Sequence, residues 1–254
     1  MAGGAERLQD KVCVLTGAAS PLARAVADRL TLEGATVVGV DMLDHGVGVQ
    51  ARQADLTDED QVRELFASVR SDLGRVDVLY NSAGLNDPDD HSVLDMPLAV
   101  WETVLAANLT TTFLCCKHVV PHLLENDPPG GSIINTASFL AVMGAASSQM
   151  AYSVAKAGVV QLSRDLGVHL ARTGVRVNAV ILGPIETPQL RALFDRIGDQ
   201  EIARRFAHYP MGRFGTPEEL AGTVAYLASD DAGFVTGAAF PLDGGITSAF
   251  TVPS

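Results

Sequence analysis

The chain has 254 residues, 47% hydrophobic and 19% charged, and this composition fills a substantial core and leaves no disordered or low-complexity tract. Its formal charge of −12 opposes binding to nucleic acid or to an anionic membrane surface, which favours small-molecule chemistry. No basic-then-apolar leader precedes the first strand and no apolar run of about eighteen residues occurs, so neither secretion nor membrane spanning is expected, and a cytoplasmic protein is.

Residues 11–16 form a short apolar run of the buried-strand type, followed by a turn and a helical pattern that ends near Glu33 and Gly34. Residues 36–40 read as a second strand and 57–73 as a helix begun by Asp58 and Glu59, with a strand-like segment before Asp55. Residues 76–80 read as a strand, 97–124 as a helix, 132–136 as a strand, 150–172 as a helix and 175–180 as a strand. Residues 217–228 form a helix with its proline in the first turn, and 238–242 the last strand. Strands and helices alternating in this way imply an α/β fold in a single domain over residues 1–254. The expected architecture is one Rossmann-like, doubly wound parallel sheet of about seven strands, with helices on both faces and ligands at the carboxyl ends of the strands.

The candidate loops fall at those ends. Thr16 to Ala23 follow the first strand, and Asp41 follows the second. A carboxylate at that place accepts hydrogen bonds from both hydroxyls of an adenosine ribose and repels a 2′-phosphate, and no arginine or lysine lies within residues 39–48 to reverse this. NAD is therefore preferred over NADP. On the helix after the fourth predicted strand, Tyr152 and Lys156 stand one turn apart, so phenol and ammonium are side by side. A fixed cation stabilises a phenolate, which equips the pair for acid/base catalysis. Cys13, Cys115 and Cys116 follow no metal-ligand spacing and read as small buried hydrophobes. His118 and His122 share a helix face, but no acidic or cysteine partner nearby completes a metal site, and none is expected.

Together these residues resemble the short-chain dehydrogenase/reductase family in its short single-domain form, from about Leu8 to Thr247. The ordered motifs are Thr16-Gly17, Asp55, Asn81 to Gly84, Asn108, Ser138, Tyr152 with Lys156, Asn178 to Thr187, and Asp243 to Gly245. The resemblance implies that Tyr152 exchanges a proton with the substrate oxygen, that Ser138 holds that oxygen, and that Lys156 binds the nicotinamide ribose and lowers the tyrosine's pKa. Asn108 would anchor a water linking Lys156 to solvent. The cofactor-binding positions implied are Gly17, Ser20, Leu22, Asp41, Asp55, Leu56, Asn81, Ala83, Gly84, Gly183, Ile185 and Thr187, with Tyr152 and Lys156 serving both purposes. Asp55 would meet the adenine amino group and Thr187 the carboxamide. In relatives, helices matching 97–124 and 150–172 pack across subunit interfaces, so a homotetramer or a homodimer is expected.

Three positions depart from the family pattern. Pro21 and Ala23 stand for glycines in the phosphate turn, and Pro21 removes one amide donor. Proline is tolerated at a first helical position, however, and Ser20 can cap the helix. Ser82 stands for a second asparagine, and a hydroxyl can replace part of its bonding. Leu182 replaces a proline, which loosens its loop. The segment at about 184–212 should cover the active site. In it Leu190, Leu193, Phe194 and Ile197 form an apolar stripe that serves either packing or a lid. With Phe139, Leu140, Val142 and Met143, that stripe suits a secondary alcohol or ketone with apolar bulk. Arg204, Arg205 and Arg213 either meet an anionic handle, such as a coenzyme A phosphate, or pair with carboxylates. The alternative function is a catalytically silent NAD-binding scaffold or sensor.

Overall fold

A computed structural model of the chain describes residues 6–44, 46–48, 50–144, 149–197, 202, 204 and 206–249. Seven strands form one sheet: β1 Val12–Thr16, β2 Thr36–Asp41, β3 Gln50–Gln53, β4 Val78–Asn81, β5 Gly131–Ser138, β6 Val175–Leu182 and β7 Ala239–Leu242. Their order is β3-β2-β1-β4-β5-β6-β7, and every neighbouring pair is parallel. The strand order reverses between β1 and β4, and a crevice opens there at the carboxyl ends. β1 is buried at every position, as a strand covered on both faces must be.

Helices α1 (Pro21–Leu32) and α7 (Pro217–Ala228) close one face over Leu15, Tyr80, Ile134 and Val180. Helices α2 (Glu59–Leu73), α4 (Thr111–Leu124) and α5 (Met150–Leu170) close the other over Val14, Leu79, Ile133 and Val177. Local signals explain their ends. The Asp58 carboxylate accepts from the Asp60 and Gln61 amides to start α2, and Gly74, at φ 77°, ends it. Thr216 and Glu219 cap each other's amides at the start of α7.

The strand-like segment expected before Asp55 is β3, a polar edge strand, Gln-Ala-Arg-Gln, that pairs on one side only. One element differs from expectation. The expected helix 97–124 is three pieces: α3 (Leu98–Leu105), a π-helical turn (Ala106–Thr110), and α4. By length and composition alone Leu98–Leu124 could cross a bilayer, although Glu102, Asn108, Lys117 and His118 interrupt its apolar residues. In this fold Leu114, Cys115, Val119 and Leu123 of that stretch enter the core against the sheet, while Leu98, Phe113 and Leu124 stay exposed.

Candidate active site

The turn from β1 to α1 is held from three sides. The Thr16 hydroxyl accepts from the Ser82 and Ala83 amides at 3.1 and 3.2 Å, tying β1 to the chain leaving β4. It is thus the backbone of Ser82, not its hydroxyl, that makes this link. Gly17 has φ +68°, and a Cβ there would lie 2.8 Å from the Ala83 backbone, so only glycine allows the approach. The Ser20 hydroxyl accepts from the Ala23 amide at 3.1 Å, and Pro21 occupies the first turn of α1, where its missing N–H costs the helix nothing. Asp41 ends β2 as expected, and its carboxylate accepts from the Ala19 amide at 3.0 Å and the Leu43 amide at 3.1 Å. It therefore anchors the turn as well as facing the crevice.

A cavity of about 290 Å³ opens between these loops. Gly17, Asp41, Asp55, Leu56, Ala83 and Gly84 line it as the sequence suggests. Met42, Thr57, Leu85, Ala107 and Thr111 line it too, and the sequence reading missed them. Thr111 lies one turn beyond Asn108, a spacing that could have marked it. The Asp55 carboxylate accepts from the amide and hydroxyl of Thr57, at 2.9 and 2.7 Å.

Beside the cavity, Ser138 ends β5 and Tyr152 and Lys156 rise from α5. Ser138 is 5% exposed, Lys156 3% and Asn108 fully buried. The Lys156 ammonium lies 5.6 Å from the centre of the Tyr152 ring and donates to the Thr136 carbonyl at 2.9 Å. Gly84 packs against this group: a Cβ there would meet Asn108 Oδ1 at 2.6 Å and Lys156 Nζ at 3.5 Å. Asn108 sits in the π-helical turn. Its side chain exchanges bonds with Leu85, accepting from the amide at 3.3 Å and donating to the carbonyl at 2.8 Å.

Burial adds an electrostatic effect that spacing alone does not give. Burial pushes the Tyr152 phenol above its ordinary value, and the Ser138 hydroxyl pulls it only partly back. Burial also lowers Lys156, to about 8. Spacing along the helix does not reveal this desolvation, which raises the phenol and lowers the ammonium alike.

Other expected residues are placed as follows. Asn81 is 4% exposed, and its side chain is bonded within the sheet rather than turned to the crevice. The Thr187 hydroxyl accepts from the Leu190 amide at 3.1 Å and so starts α6 (Pro188–Ile197). Ile185 is buried and bridges to Gly215, and the Gly183 amide donates to the Leu242 carbonyl at 2.9 Å. Leu182 continues β6, paired with Ser138 and Leu242, instead of loosening a loop. Phe194 is buried among Phe206, Tyr209 and Phe214; the side chains of Leu193 and Ile197, and all of Arg205, lie outside the described residues. Arg204 is exposed, and Arg213 pairs with Glu219 at 2.6 Å. His118 and His122 have separate carboxylates, Glu59 at 3.0 Å and Glu125 at 3.6 Å, and no metal-like cluster occurs among the described residues.

A parallel sheet that opens a crevice beside a hydroxyl, a phenol and an ammonium defines an oxidoreductase that works with a dinucleotide. Comparison with known proteins makes the class specific. Residues 17–247 match the family model described as Enoyl-(Acyl carrier protein) reductase. The chain is 36% identical to an uncharacterized oxidoreductase, YxbG, of Bacillus subtilis (strain 168), over 97% of this chain and 94% of that protein. It is 37% identical to cis-4-hydroxycyclohexanecarboxylate dehydrogenase of Sinomonas cyclohexanicum, over 96% and 99%. The ligand-free structure of Thermoplasma acidophilum aldohexose dehydrogenase superposes with a TM-score of 0.89 at 28% identity, over 99% of each chain. The chain belongs to the short-chain dehydrogenase/reductase family and is an oxidoreductase acting on CH–OH groups with a nicotinamide cofactor. The site fits that cofactor: the turn at Gly17 has no room for a side chain, α1 starts beside it, and the cavity runs from Asp41 to Gly84.

Proposed function

We propose that the protein interconverts a secondary alcohol and its ketone, with apolar bulk on the substrate, and that Tyr152, Ser138, Lys156 and Asn108 carry the chemistry. The observation that carries this reading is the convergence of Ser138, Tyr152 and Lys156, from two elements, beside the cavity that runs from Asp41 to Gly84. A nicotinamide cofactor held along Gly17, Asp41 and Gly84 would supply the hydride acceptor or donor for the carbinol carbon. Tyr152 exchanges the proton with the substrate oxygen, and Ser138 donates a hydrogen bond to that oxygen. Burial keeps the phenol protonated at neutral pH, the form that donates to a carbonyl oxygen. Alcohol oxidation needs that proton removed, and Lys156, at about 8, is poised to relay it as the solution becomes mildly alkaline.

Asp41 supports a preference for NAD, since its carboxylate ends β2 at the cavity wall. The remaining cofactor contacts are assigned to Gly17, Ser20, Leu22, Asp55, Leu56, Ala83, Gly84, Gly183, Ile185 and Thr187, and to Asn81 through its backbone alone, its side chain being held by Asn135. The segment at about 184–212 is assigned to cover the site, and Phe194, Phe206 and Tyr209 from it cluster with Phe214. Exposed Val142 and Met143 beyond Ser138 support an apolar substrate, and the Arg213–Glu219 pair leaves Arg213 a poor anchor for an anionic carrier. Exposed Leu98, Phe113, Val154 and Val168 on α3, α4 and α5 support a homodimer or homotetramer. A single domain in the cytoplasm completes the reading.

The test is a screen of alcohols and ketones with both dinucleotides, followed by absorbance of the reduced nicotinamide, with Tyr152→Phe in parallel. Turnover by wild type and none by the variant is expected. Dinucleotide binding with equal inactivity of the two proteins across the screen would favour the silent scaffold.

A further inference from the structure

Tyr152 lies in the first turn of α5, where amides have no partner within the helix. The helix's own cap residue, Gln149, supplies no side-chain bond. The acceptors come from far along the chain. One Asp90 carboxylate oxygen accepts from the Ala151 amide and the other from the Tyr152 amide, both at 2.9 Å. Asp90 is only 2% exposed, in the connection from β4 to α3. A carboxylate this buried is retained only where its bonds compensate for lost water, and two charge-assisted bonds at the positive end of a helix do so. Its neighbour His91 faces Asp89 instead, at 3.8 Å.

The same connection is fastened at its other end, where Asn108 exchanges hydrogen bonds with Leu85. The short stretch from Leu85 to Asp90 therefore ties the π-helical turn to the amide of Tyr152. One bond would leave the first turn of α5 free to pivot, whereas two from a single planar carboxylate fix its place and direction.

We infer that Asp90 is a positioning residue that sets the Tyr152 phenol against the substrate. This rests on the proposed role of Tyr152. A misplacement on the order of 1 Å can cost about a hundredfold in rate, so small freedom in that turn matters.

The experiment compares wild type, Asp90→Ala, Asp90→Asn and Tyr152→Phe, using the best substrate from the screen. Turnover, NADH affinity by calorimetry and hydrogen exchange at the Ala151 and Tyr152 amides are measured. Asp90→Ala is expected to lower kcat about thirtyfold, leave NADH affinity within about twofold, and speed exchange at both amides about tenfold or more. Asp90→Asn, which keeps the shape and one acceptor, is expected to recover most of that loss and remain about fivefold below wild type. Unchanged kcat or unchanged exchange in Asp90→Ala overturns the inference, as does NADH affinity falling in step with kcat. Should the alanine variant fail to fold, the asparagine variant decides: wild-type kcat and exchange overturn the inference, and reduced kcat with intact NADH binding supports it. If Tyr152→Phe turns over normally, the role of Tyr152 itself fails; if it is dead while both Asp90 variants match wild type, only the inference about Asp90 fails.

Discussion

Lys156→Met should abolish turnover and yet make the protein more stable at neutral pH. The ammonium is 3% exposed, and its burial moves the group from 10.5 to about 8. At 1.36 kcal/mol for each pH unit, holding that charge in the folded state costs about 3 kcal/mol. Methionine matches the length of the chain without the charge. It forfeits the bond to the Thr136 carbonyl, worth about 1 kcal/mol. The net expectation is a gain of about 2 kcal/mol at pH 7. Its pH dependence follows from linkage. Below about 8 both folded and unfolded wild type carry the proton and the full penalty applies; between about 8 and 10.5 the unfolded chain binds more protons, so wild-type stability rises with pH and the variant's advantage fades. Urea unfolding of both proteins at pH 6, 7, 9 and 10 measures the difference directly. A variant less stable than wild type at pH 7, or an advantage that stays constant across that range, would refute the reasoning.

Gly84→Ala places a methyl 2.6 Å from Asn108 Oδ1 and near the Lys156 ammonium, and should cost about 1 to 3 kcal/mol, seen as a lower thermal midpoint, with kcat reduced. Pro21→Gly restores an amide donor in the phosphate turn and should tighten NAD binding by about 1 kcal/mol, roughly fivefold by calorimetry; tenfold weakening would show that the proline ring itself makes a favourable contact. Asp41→Asn keeps one of two acceptors for the turn but removes the charge, so the ratio of kcat/KM for NADP over NAD should rise about tenfold or more, and an unchanged ratio counts against the assignment of NAD.

What the sequence makes legible is what depends on period and local chemistry. The alternation of strands and helices, the Tyr152–Lys156 spacing, the proline at the start of α1 and the acid at the end of β2 are all readable from neighbours along the chain. Asp90 is not, because its partners lie 61 and 62 residues away and only folding brings them together. β3 is readable only as a strand-like segment before Asp55, because a polar edge strand carries no apolar pattern to fix its bounds. The π-helical turn at Asn108 leaves no mark in a helical repeat that continues on both sides of it. The burial of Tyr152 is hidden for a related reason: spacing reports the distance to a cation but not the loss of water, which here raises the phenol.

A polar rung across the sheet explains why these loops share one frame. Thr16, Asn81 and Asn135 stand level with one another in the registers of β1 with β4 and β4 with β5. The Asn81 carboxamide donates to Asn135 at 2.9 Å, Asn135 donates to the Ser163 hydroxyl at 2.9 Å, and Ser163 donates to the Val159 carbonyl at 2.7 Å on α5. All four side chains are nearly or fully buried. Apolar residues here would pack as well, but the Ser82 and Ala83 amides, which have left the strand ladder, would then lose their acceptor on Thr16. A slip of one residue in any of these pairs would turn its carboxamide to the opposite face and leave several buried polar groups unpaired, so the rung fixes the register. Because its last member belongs to the helix that carries Lys156, the same bonds set the distance between the turn at Gly17 and the proposed proton-transfer group.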